Sequence, residues 1–363
     1  MRVRCGRSDL LAALRAVNGV ASGRADFMPV LGGVRLSASE GGLELAGTDL
    51  ESSLRRTVAV EVDEPGAALP AARLLVDIVG GASGEEVSLS MEDGASRLVV
   101  ASGRSRFEVD CMPVGDFPKV ADASGDVVYD GPAEAVLSAI RSVAPAASKD
   151  VSRPVLAGVL ASFSEGNAFE LVATDQARLC VSGRREASAR SALVPRQSME
   201  ALAGLARGAE SLRISLSPGM AVFEFGDSVY VTRLIDGQFP EWRQLVPQEW
   251  AHDIAVDRAE LAGVVGRVGV MAQNGAPLRL SFSEGRVVVE ARTPGVGEAA
   301  EDLAVPYAGD SMEVGLRKEF VLDALAGAGS PEVRLRMNGP GAMVVVEDEA
   351  AGYSSLMMPM RLS

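Results

Sequence analysis

Apolar residues at helical spacing mark two stretches of the chain that lie about 125 residues apart. Leu10, Leu14 and Val17 fall on one face of the first predicted helix, and residues 136–143 repeat the same pattern. Alternating apolar and polar positions follow both helices and predict β-strands. The pattern therefore indicates a chain built from copies of one helix-and-strand unit.

The copies also match outside the helices. MPVLGGVRLSAS at 28–39 corresponds to RPVLAGVLASFS at 153–164, and GLELAGTDLE at 42–51 corresponds to FELVATDQAR at 169–178. A fainter third copy begins at Asp257 and includes PLRLSFSEGRVVVEART. Segments rich in Gly, Pro and Asp separate the copies and are typical of domain linkers.

We predict an α+β fold of three similar domains, each with two helices packed on curved antiparallel sheets. The second helix of each copy is expected after Pro70, after Pro195 and near Gly315. The predicted domains are residues 1–120, 126–247 and 252–363.

A Thr-Asp pair recurs as Thr48-Asp49 and Thr174-Asp175, at the same position of the first two copies. Carboxylates such as Asp49 with Glu51 could act as general acid and base in an enzyme. Thr and Asp side chains also cap turns by bonding nearby backbone groups. Because one active site does not need two copies, we favour turn caps and predict no catalytic residue. An enzyme is the alternative, which loss of turnover on substitution of Asp49 or Asp175 would reveal.

Composition narrows the possible partners and cofactors. With 35 Lys and Arg against 49 Asp and Glu, the net charge of −14 argues against ordinary nucleic-acid binding, which depends on phosphate neutralisation. The three cysteines lack zinc-site spacing, and the one histidine, His252, has no nucleophile or carboxylate at a recognised spacing. We therefore expect no metal and no cofactor. Without a signal peptide or a membrane-length apolar run, we expect a cytoplasmic protein.

Six motifs occur in the same order as in one known family: GTDLE (47–51), SGRSRF (102–107), GDFP (115–118), VATDQARL (172–179), IDGQFP (235–240) and MPMRL (358–362). By these motifs the chain resembles the beta subunit of bacterial DNA polymerase III, the sliding clamp family. The resemblance implies protomers of three domains joined head to tail as a homodimer, a ring through which duplex DNA slides, and no catalytic activity. A ring holds DNA topologically and needs little contact affinity, so the acidic charge does not conflict with this function.

The resemblance also implies partners: the polymerase III alpha subunit, the clamp loader and other proteins with a clamp-binding motif. Their short peptides would enter an apolar groove between the second and third domains. Methionines suit such a groove, because their flexible thioethers repack against different peptides. The matching groove positions are Leu156, Thr174, Arg178, Leu179, Pro240, Leu245, Leu356, Met358, Pro359 and Met360.

Two further sets of residues follow from the matched positions. The strand around 104–109 alternates and offers an edge for pairing; an ordinary edge strand protected by arginines is the alternative interpretation. The expected dimer interface consists of Arg104, Arg106, Phe107 and Val109 opposite Val270, Met271, Glu298, Glu301 and Asp302. The cations expected to face DNA are Arg24, Arg73, Lys149, Arg153 and Arg196.

The chain departs from the family near the groove. A Gly-His pair that is common in the family is Gln176-Ala177 here, and a frequently basic position before Leu245 is Gln244. Peptide preference is therefore expected to differ, and a secondary clamp paralogue with altered partner or inhibitor binding is an alternative function. A scaffold of repeated domains that never meets DNA is another, which the acidic charge allows.

Overall fold

The structure is a computed structural model that describes residues 1–21, 28–120, 125–184, 190–273 and 275–362. These residues contain six α-helices, two in each predicted copy. Each copy has the two expected helices, and strands follow both of them. A further strand precedes the first helix of each copy: Arg2–Gly6, Asp126–Pro132 and His252–Asp257. The helices are α1 (Arg7–Ala21), α2 (Ala72–Gly81), α3 (Ala133–Val143), α4 (Arg196–Leu205), α5 (Arg258–Val268) and α6 (Lys318–Gly327).

The strands of the described residues are short and pair in antiparallel ladders. In chain order they are β1 (Arg2–Gly6), β2 (Arg35–Ser39), β3 (Gly42–Thr48), β4 (Ser52–Val58), β5 (Glu61–Glu64), β6 (Gly66–Ala68), β7 (Glu86–Ser90), β8 (Arg97–Ser102), β9 (Ser105–Asp110), β10 (Asp126–Pro132), β11 (Gly158–Phe163), β12 (Phe169–Thr174), β13 (Arg178–Gly183), β14 (Arg190–Pro195), β15 (Ser211–Ser217), β16 (Met220–Phe225), β17 (Ser228–Arg233), β18 (His252–Asp257), β19 (Leu278–Ser283), β20 (Arg286–Thr293), β21 (Gly297–Ala304), β22 (Met312–Leu316), β23 (Glu332–Met337), β24 (Val344–Asp348) and β25 (Tyr353–Met357).

The helices form where the apolar spacing predicts them. In α1, Leu10, Leu14 and Val17 are fully buried along one face, as expected for an amphipathic helix. α5 begins after an Asp cap, because the Asp257 carboxylate accepts a hydrogen bond from the Glu260 backbone N–H at 2.8 Å. This bond satisfies one of the donors that the first helical turn leaves without an intrahelical partner.

The chain folds into two compact units, each with two sheets. The first unit comprises Met1–Glu134 with Gly204–Leu234, and the second comprises Ala135–Ala203 with the residues from Ile235 onward. The sheets of the first unit have the strand orders β5-β1-β7-β8-β9 and β10-β15-β16-β17-β4-β3-β2-β6. Those of the second unit have the orders β14-β11-β12-β13-β25-β24-β23-β18 and β21-β20-β19-β22.

The two eight-stranded sheets are each shared by two sequence copies. β17 of the second copy pairs with β4 of the first, and β25 of the third copy pairs with β13 of the second. We call these two ladders the internal junctions. At the first of them, Tyr230 lies opposite Leu54 and both are 1% exposed, a cross-strand pair that stabilises the sheet. Because sheets join consecutive copies, the compact units do not coincide with the copies, and the predicted domain boundaries stay a prediction.

The two Thr-Asp turns immediately precede the junction strands β4 and β13. The Thr48 and Thr174 hydroxyls each donate to the backbone carbonyl four residues on, at 2.8 and 2.6 Å. The Asp49 and Asp175 carboxylates each accept from the backbone N–H three residues on, at 2.7 and 3.0 Å. This geometry confirms the interpretation of the pairs as turn caps.

Candidate functional site

An apolar cavity of about 270 Å³ opens in the second unit, between the start of β13, the end of β25 and the segment 240–245. Leu245 is 58% exposed and Met358 is 49% exposed, so apolar surface stays open to solvent at the cavity mouth. Exposed apolar surface in a concave site is typical of a site that binds an apolar ligand. Eight of the ten predicted groove residues line the cavity: Leu156, Thr174, Arg178, Leu179, Pro240, Leu245, Leu356 and Met358.

The other two predicted groove residues, Pro359 and Met360, follow β25 and are not in the lining that the described residues form. The Met360 backbone N–H instead donates to the Gly315 carbonyl of β22 at 2.7 Å. Just before them, the Met358 N–H donates to the Ala177 carbonyl at 2.9 Å. These two backbone bonds fix the segment that places Met358 at the cavity.

Sequence reasoning misses four residues of the lining. Trp242 forms part of a wall and is 8% exposed, with the Arg243 guanidinium 4.3 Å from its ring centroid. A tryptophan in the linker between two predicted groove positions is a signal that could have found it. Met343 gives no such signal, because only the pairing of β24 with β25 brings it to the cavity. The four residues are Gln176, Trp242, Met343 and Met357.

Arg178, the first residue of β13, is held from several sides by its own chain. Its Nε donates to Asp175 at 3.2 Å and its Nη1 to Asp323 of α6 at 2.6 Å. Its Nη2 donates to the Pro145 carbonyl, and the guanidinium lies 4.4 Å from the Phe320 ring centroid. The side chain is 10% exposed. Because its donors and charge are engaged internally, Arg178 holds the cavity wall in place.

Gln176 reaches the cavity from a left-handed backbone position with φ +79°. Leu50 takes the same place before β4 with φ +77°, and Gly295 takes it before β21 with φ +76°. Glycine adopts this conformation freely, whereas a residue with a Cβ atom carries a cost of about 1–2 kcal/mol. The Gln176 Oε1 accepts a hydrogen bond from Arg153 Nη1 at 2.6 Å. A strained residue therefore holds a cation beside the cavity.

The predicted interface residues lie on two strands at sheet edges and in the segments beside them. β9 is the last strand of the five-stranded sheet, and β21 is an end strand of the four-stranded sheet. Phe107 on β9 is 40% exposed, whereas Val109 is buried; Val270, in a short helical turn before β19, is 62% exposed. Glu301 of β21 already accepts a bond from Arg267 at 2.9 Å. The other predicted residues are Arg104 in the turn before β9, Arg106 on β9, Met271 in contact with the start of β21, and Glu298 and Asp302 on β21.

The cations predicted to face DNA have different surroundings. Arg73 of α2 and Arg196 of α4 each lie near a carboxylate one helical turn on, at 3.4 and 3.1 Å. Exposed pairs of this kind are worth only about 0.3–0.5 kcal/mol, so an arginine can exchange its partner for a phosphate. Lys149 is exposed in the loop after α3, and Arg153 is bonded to a cavity residue. Arg24 lies outside the described residues.

Three features of the described residues bear on metal binding and on nucleophilic chemistry. Among them, no group of three or more His, Cys, Asp and Glu side chains is placed to hold a metal ion. His252 packs against Tyr307, with 5.3 Å between the ring centroids. Burial, together with nearby carboxylates, raises the pKa of the Cys5 thiol to about 11, so this thiol is not a ready nucleophile. No helix within the described ranges is long and apolar enough to cross a membrane.

The described residues form repeated two-helix copies, sheets shared between consecutive copies and an open apolar cavity. These features define a repeat-built binding protein. Models of the DNA polymerase III beta subunit match nearly the whole chain: the N-terminal domain at residues 1–121, the central domain at 132–241 and the C-terminal domain at 243–361. The chain therefore belongs to the DNA polymerase III beta subunit family. It has the three clamp domains of this family of sliding clamps, which are non-catalytic processivity factors.

Individual relatives agree with this assignment over the full length. The beta sliding clamps of Salmonella typhimurium and Escherichia coli K12 are 32% and 31% identical to the chain over 370 residues, and each alignment covers 100% of both proteins. The crystal structure of the Pseudomonas aeruginosa sliding clamp bound to griselimycin superimposes with a TM-score of 0.92 at 28% identity, covering 100% of both chains. The resemblance inferred from the motifs and the α+β fold of three domains are thus confirmed.

Proposed function

We propose that two copies of this chain close head to tail into a ring that encircles duplex DNA and tethers the polymerase to it. The observation that carries the proposal is the repetition of the junction strands. Three strands, β9, β17 and β25, are each the last strand of a copy. Three others, β4, β13 and β21, each begin two residues after a residue with left-handed backbone conformation. Both internal junctions pair the last strand of one copy with a strand that follows such a left-handed residue: β17 with β4, and β25 with β13. Of these six strands, only β9 and β21 lie at sheet edges in the protomer.

The edge strand β9 carries an apolar residue at the position where β17, in the first internal junction, has a buried one. Phe107 is the third residue of β9, and Tyr230 is the third residue of β17. Tyr230 is 1% exposed opposite Leu54, whereas Phe107 is 40% exposed. Pairing β9 of one protomer with β21 of its partner would bury the part of Phe107 that is still exposed. Full burial of such a side chain is worth about 1.5–3 kcal/mol, so burial of the exposed part is worth a fraction of that. Such a head-to-tail contact closes into a ring when its rotation completes the circle with two copies.

DNA would be held in this ring by topology and only weakly by contacts. The net charge of −14 leaves little capacity for phosphate neutralisation over the whole surface. A small set of cations on the DNA-facing side would centre the duplex without stopping it from sliding. We assign this role to Arg24, Arg73, Lys149, Arg153 and Arg196.

We assign the apolar cavity to short peptides of partner proteins: the polymerase III alpha subunit, the clamp loader and other proteins with a clamp-binding motif. Support comes from the exposed Leu245 and Met358 and from the methionines of the lining, which can repack against different side chains. The presence of Gln176 in the lining favours a second candidate, a clamp paralogue with altered partner or inhibitor binding. Both candidates encircle duplex DNA, and we propose a cytoplasmic location for the protein.

Charge reversal tests the proposed ring contact. The molar mass by light scattering, from micromolar to nanomolar protein, is expected to be that of a dimer for the wild-type chain. Arg104→Glu with Arg106→Glu is expected to give monomers, and so is Glu298→Lys with Asp302→Lys. An equimolar mixture of the two variants should form dimers again, because each contact then joins opposite charges.

Arg213→Glu is the matched control, since Arg213 is half exposed and pairs with Asp130 between β15 and β10, in a sheet that contains neither β9 nor β21. This variant should remain a dimer. A wild-type monomer at micromolar concentration, or a mixture that stays monomeric, contradicts the proposed contact.

A further inference from the structure

We propose that Glu170 is a positioning residue of the apolar cavity. Through its ion pair with Arg243 it fastens the turn at 242–245 to the sheet, so that Trp242 stands as a preformed wall for an apolar side chain of a peptide. The inference rests on the proposed function of the cavity as a peptide site. It adds a residue outside the lining whose role is to set the shape of that site.

Trp242 is the largest apolar side chain of the lining, and it packs on the sheet beside the cavity. It is 8% exposed and belongs to one buried cluster with Val172 of β12, Leu179 of β13 and Leu356 of β25. Leu179 and Leu356 also line the cavity. The position of the Trp242 ring on these strands therefore sets the width of the cavity.

The turn that carries Trp242 lies outside the strands of the sheet. It is a short helical turn, Trp242–Leu245. The backbone N–H groups of Trp242, Gln244 and Val246 donate to carbonyls two or three residues earlier, at 2.8, 3.4 and 3.4 Å. These bonds shape the turn but do not join it to a strand, so side chains must hold it on the sheet.

The ion pair between Arg243 and Glu170 supplies that attachment. Arg243 donates through Nη2 to Oε1 of Glu170 on β12, and the guanidinium lies 4.3 Å from the Trp242 ring centroid. The Glu170 side chain is 9% exposed, whereas that of Arg243 is 46% exposed. A carboxylate so far removed from water is costly unless it is paired and hydrogen-bonded. The arginine thus bonds to the sheet and at the same time lies over the indole.

In the first copy the matching glutamate pairs within the sheet. Glu44 and Glu170 each stand four residues before the threonine of a Thr-Asp turn. Glu44 accepts a bond at 2.9 Å from Arg35 of the neighbouring strand β2. In the second copy, Leu160 stands at the position of Arg35. A cation for Glu170 comes from the linker instead, so the burial of this carboxylate is coupled to the position of the linker turn.

Single-tryptophan fluorescence and peptide binding test the inference with the full-length protein. The chain has two tryptophans, so Trp250→Phe leaves Trp242 as the reporter. In this background the emission of Trp242 is expected at short wavelength, because the ring is buried. The binding probe is a short labelled peptide with two leucines in an otherwise polar sequence, and its binding is followed by fluorescence anisotropy.

Glu170→Gln removes the charge of the pair without changing a residue that contacts the indole. The Trp242 emission is expected to shift to longer wavelength, and the peptide should bind about two- to tenfold more weakly, the cost of ordering one side chain on binding. Arg243→Gln should weaken the affinity by a similar factor. The double variant should bind no more weakly than the weaker-binding single variant, because both substitutions break the same contact.

Glu44→Gln is the matched control. It breaks the glutamate–arginine pair of the first copy, in which the two side chains are 33% and 29% exposed. Glu44 belongs to the first compact unit, whereas the cavity lies in the second. The Trp242 emission and the peptide affinity should therefore both stay as they are in the Trp250→Phe background.

The contrary outcomes separate this inference from the proposed function. If the wild-type protein does not bind the peptide, the peptide function of the cavity fails and the inference fails with it. If the wild-type protein binds the peptide and Glu170→Gln changes neither emission nor affinity, the cavity binds peptides but Glu170 does not position its wall. Equal weakening by Glu170→Gln and Glu44→Gln would show a general loss of structure and would also overturn the inference.

Discussion

The junction between β17 and β4 is closed within the chain, whereas β9 and β21 carry the matching strand positions at open edges. Tyr230 is buried at the closed junction, and Phe107 is exposed at the open edge. From this contrast between junction and edge we infer that one mode of strand pairing serves two purposes. Inside the chain it joins consecutive copies into continuous sheets, and at the edges it is left for a second chain.

The largest expected effect is a difference in the free energy of unfolding between a substitution at the closed junction and one at the open edge. Tyr230→Ala is expected to lower the free energy of unfolding by about 3–5 kcal/mol, because it leaves a cavity between buried strands. Phe107→Ala should change the stability of the protomer by less than about 1 kcal/mol, since its ring is partly in water. Urea unfolding of both variants at nanomolar protein checks the difference, and light scattering should show that only Phe107→Ala weakens the dimer at unchanged fold. Equal destabilisation by both changes would contradict the comparison.

A second effect compares the first residues of β13 and β4. Arg178→Ala is expected to destabilise the second unit by about 2–3 kcal/mol, because it leaves two partly buried carboxylates without their cation; partial solvent exposure of Asp323 reduces the effect. Ser52→Ala, at the matching position, removes one hydroxyl bond to Asp49 at 3.2 Å and should cost about 0.5–1 kcal/mol. Thermal unfolding followed by circular dichroism measures both. Similar shifts for the two variants would show that Arg178 does not hold the cavity wall.

A pH effect is expected next to the second internal junction, because β24 pairs with the junction strand β25. Asp348, at the end of β24, accepts bonds from the Gly329 N–H at 2.9 Å, from the Ser330 N–H and hydroxyl at 2.7 and 2.8 Å, and from the Ala351 N–H at 3.1 Å. Burial alone would raise the pKa of Asp348, but these bonds outweigh it and lower the pKa below the ordinary 3.8. The contribution to stability is therefore present above that value and is lost as the pH falls through the lowered pKa.

Asp348→Asn tests this sign. Near neutral pH the variant is expected to be less stable than the wild-type chain by about 1–2 kcal/mol, because hydrogen bonds to a carboxylate become bonds to a neutral amide. The difference should narrow as the pH is lowered below about 4, near the unfolded pKa of an aspartate. A difference that stays constant across this range would show that the carboxylate charge is not what the bonds stabilise.

The smallest effect concerns the left-handed position before each junction strand. Gln176→Gly and Leu50→Gly are each expected to raise stability by about 0.5–1 kcal/mol, since glycine removes the Cβ strain at the cost of more unfolded-state entropy. Gly295 already provides this solution before β21. Unfolding midpoints measured at one protein concentration check the direction. A loss of stability in both variants would mean that the side chains at this position contribute more than the backbone strain costs.

Periodicity and repetition were sufficient to predict the two helices of every copy and the turn caps. The positions matched to the sliding clamp family included most of the residues that line the cavity. These predictions failed where the outcome depends on which strands become neighbours. Alternation tells which face of a strand is buried but does not name its partner, so the placement of Met343 and the departure of Met360 from the lining could not be read from the sequence. The contacts of Arg178 with Asp323 and Phe320 could not be predicted either, because both residues lie on a helix that is distant in the sequence.

A closed ring of two protomers would hold DNA by topology, and retention on circular DNA distinguishes this from binding by surface contacts. The protein is loaded by a clamp loader onto nicked circular DNA, freed of unbound protein by gel filtration, and followed before and after the DNA is cut once. A closed ring is expected to stay on the circular DNA at high salt and to leave when the DNA is linearised, because it can slide off a free end. Equal release from circular and linear DNA would contradict it.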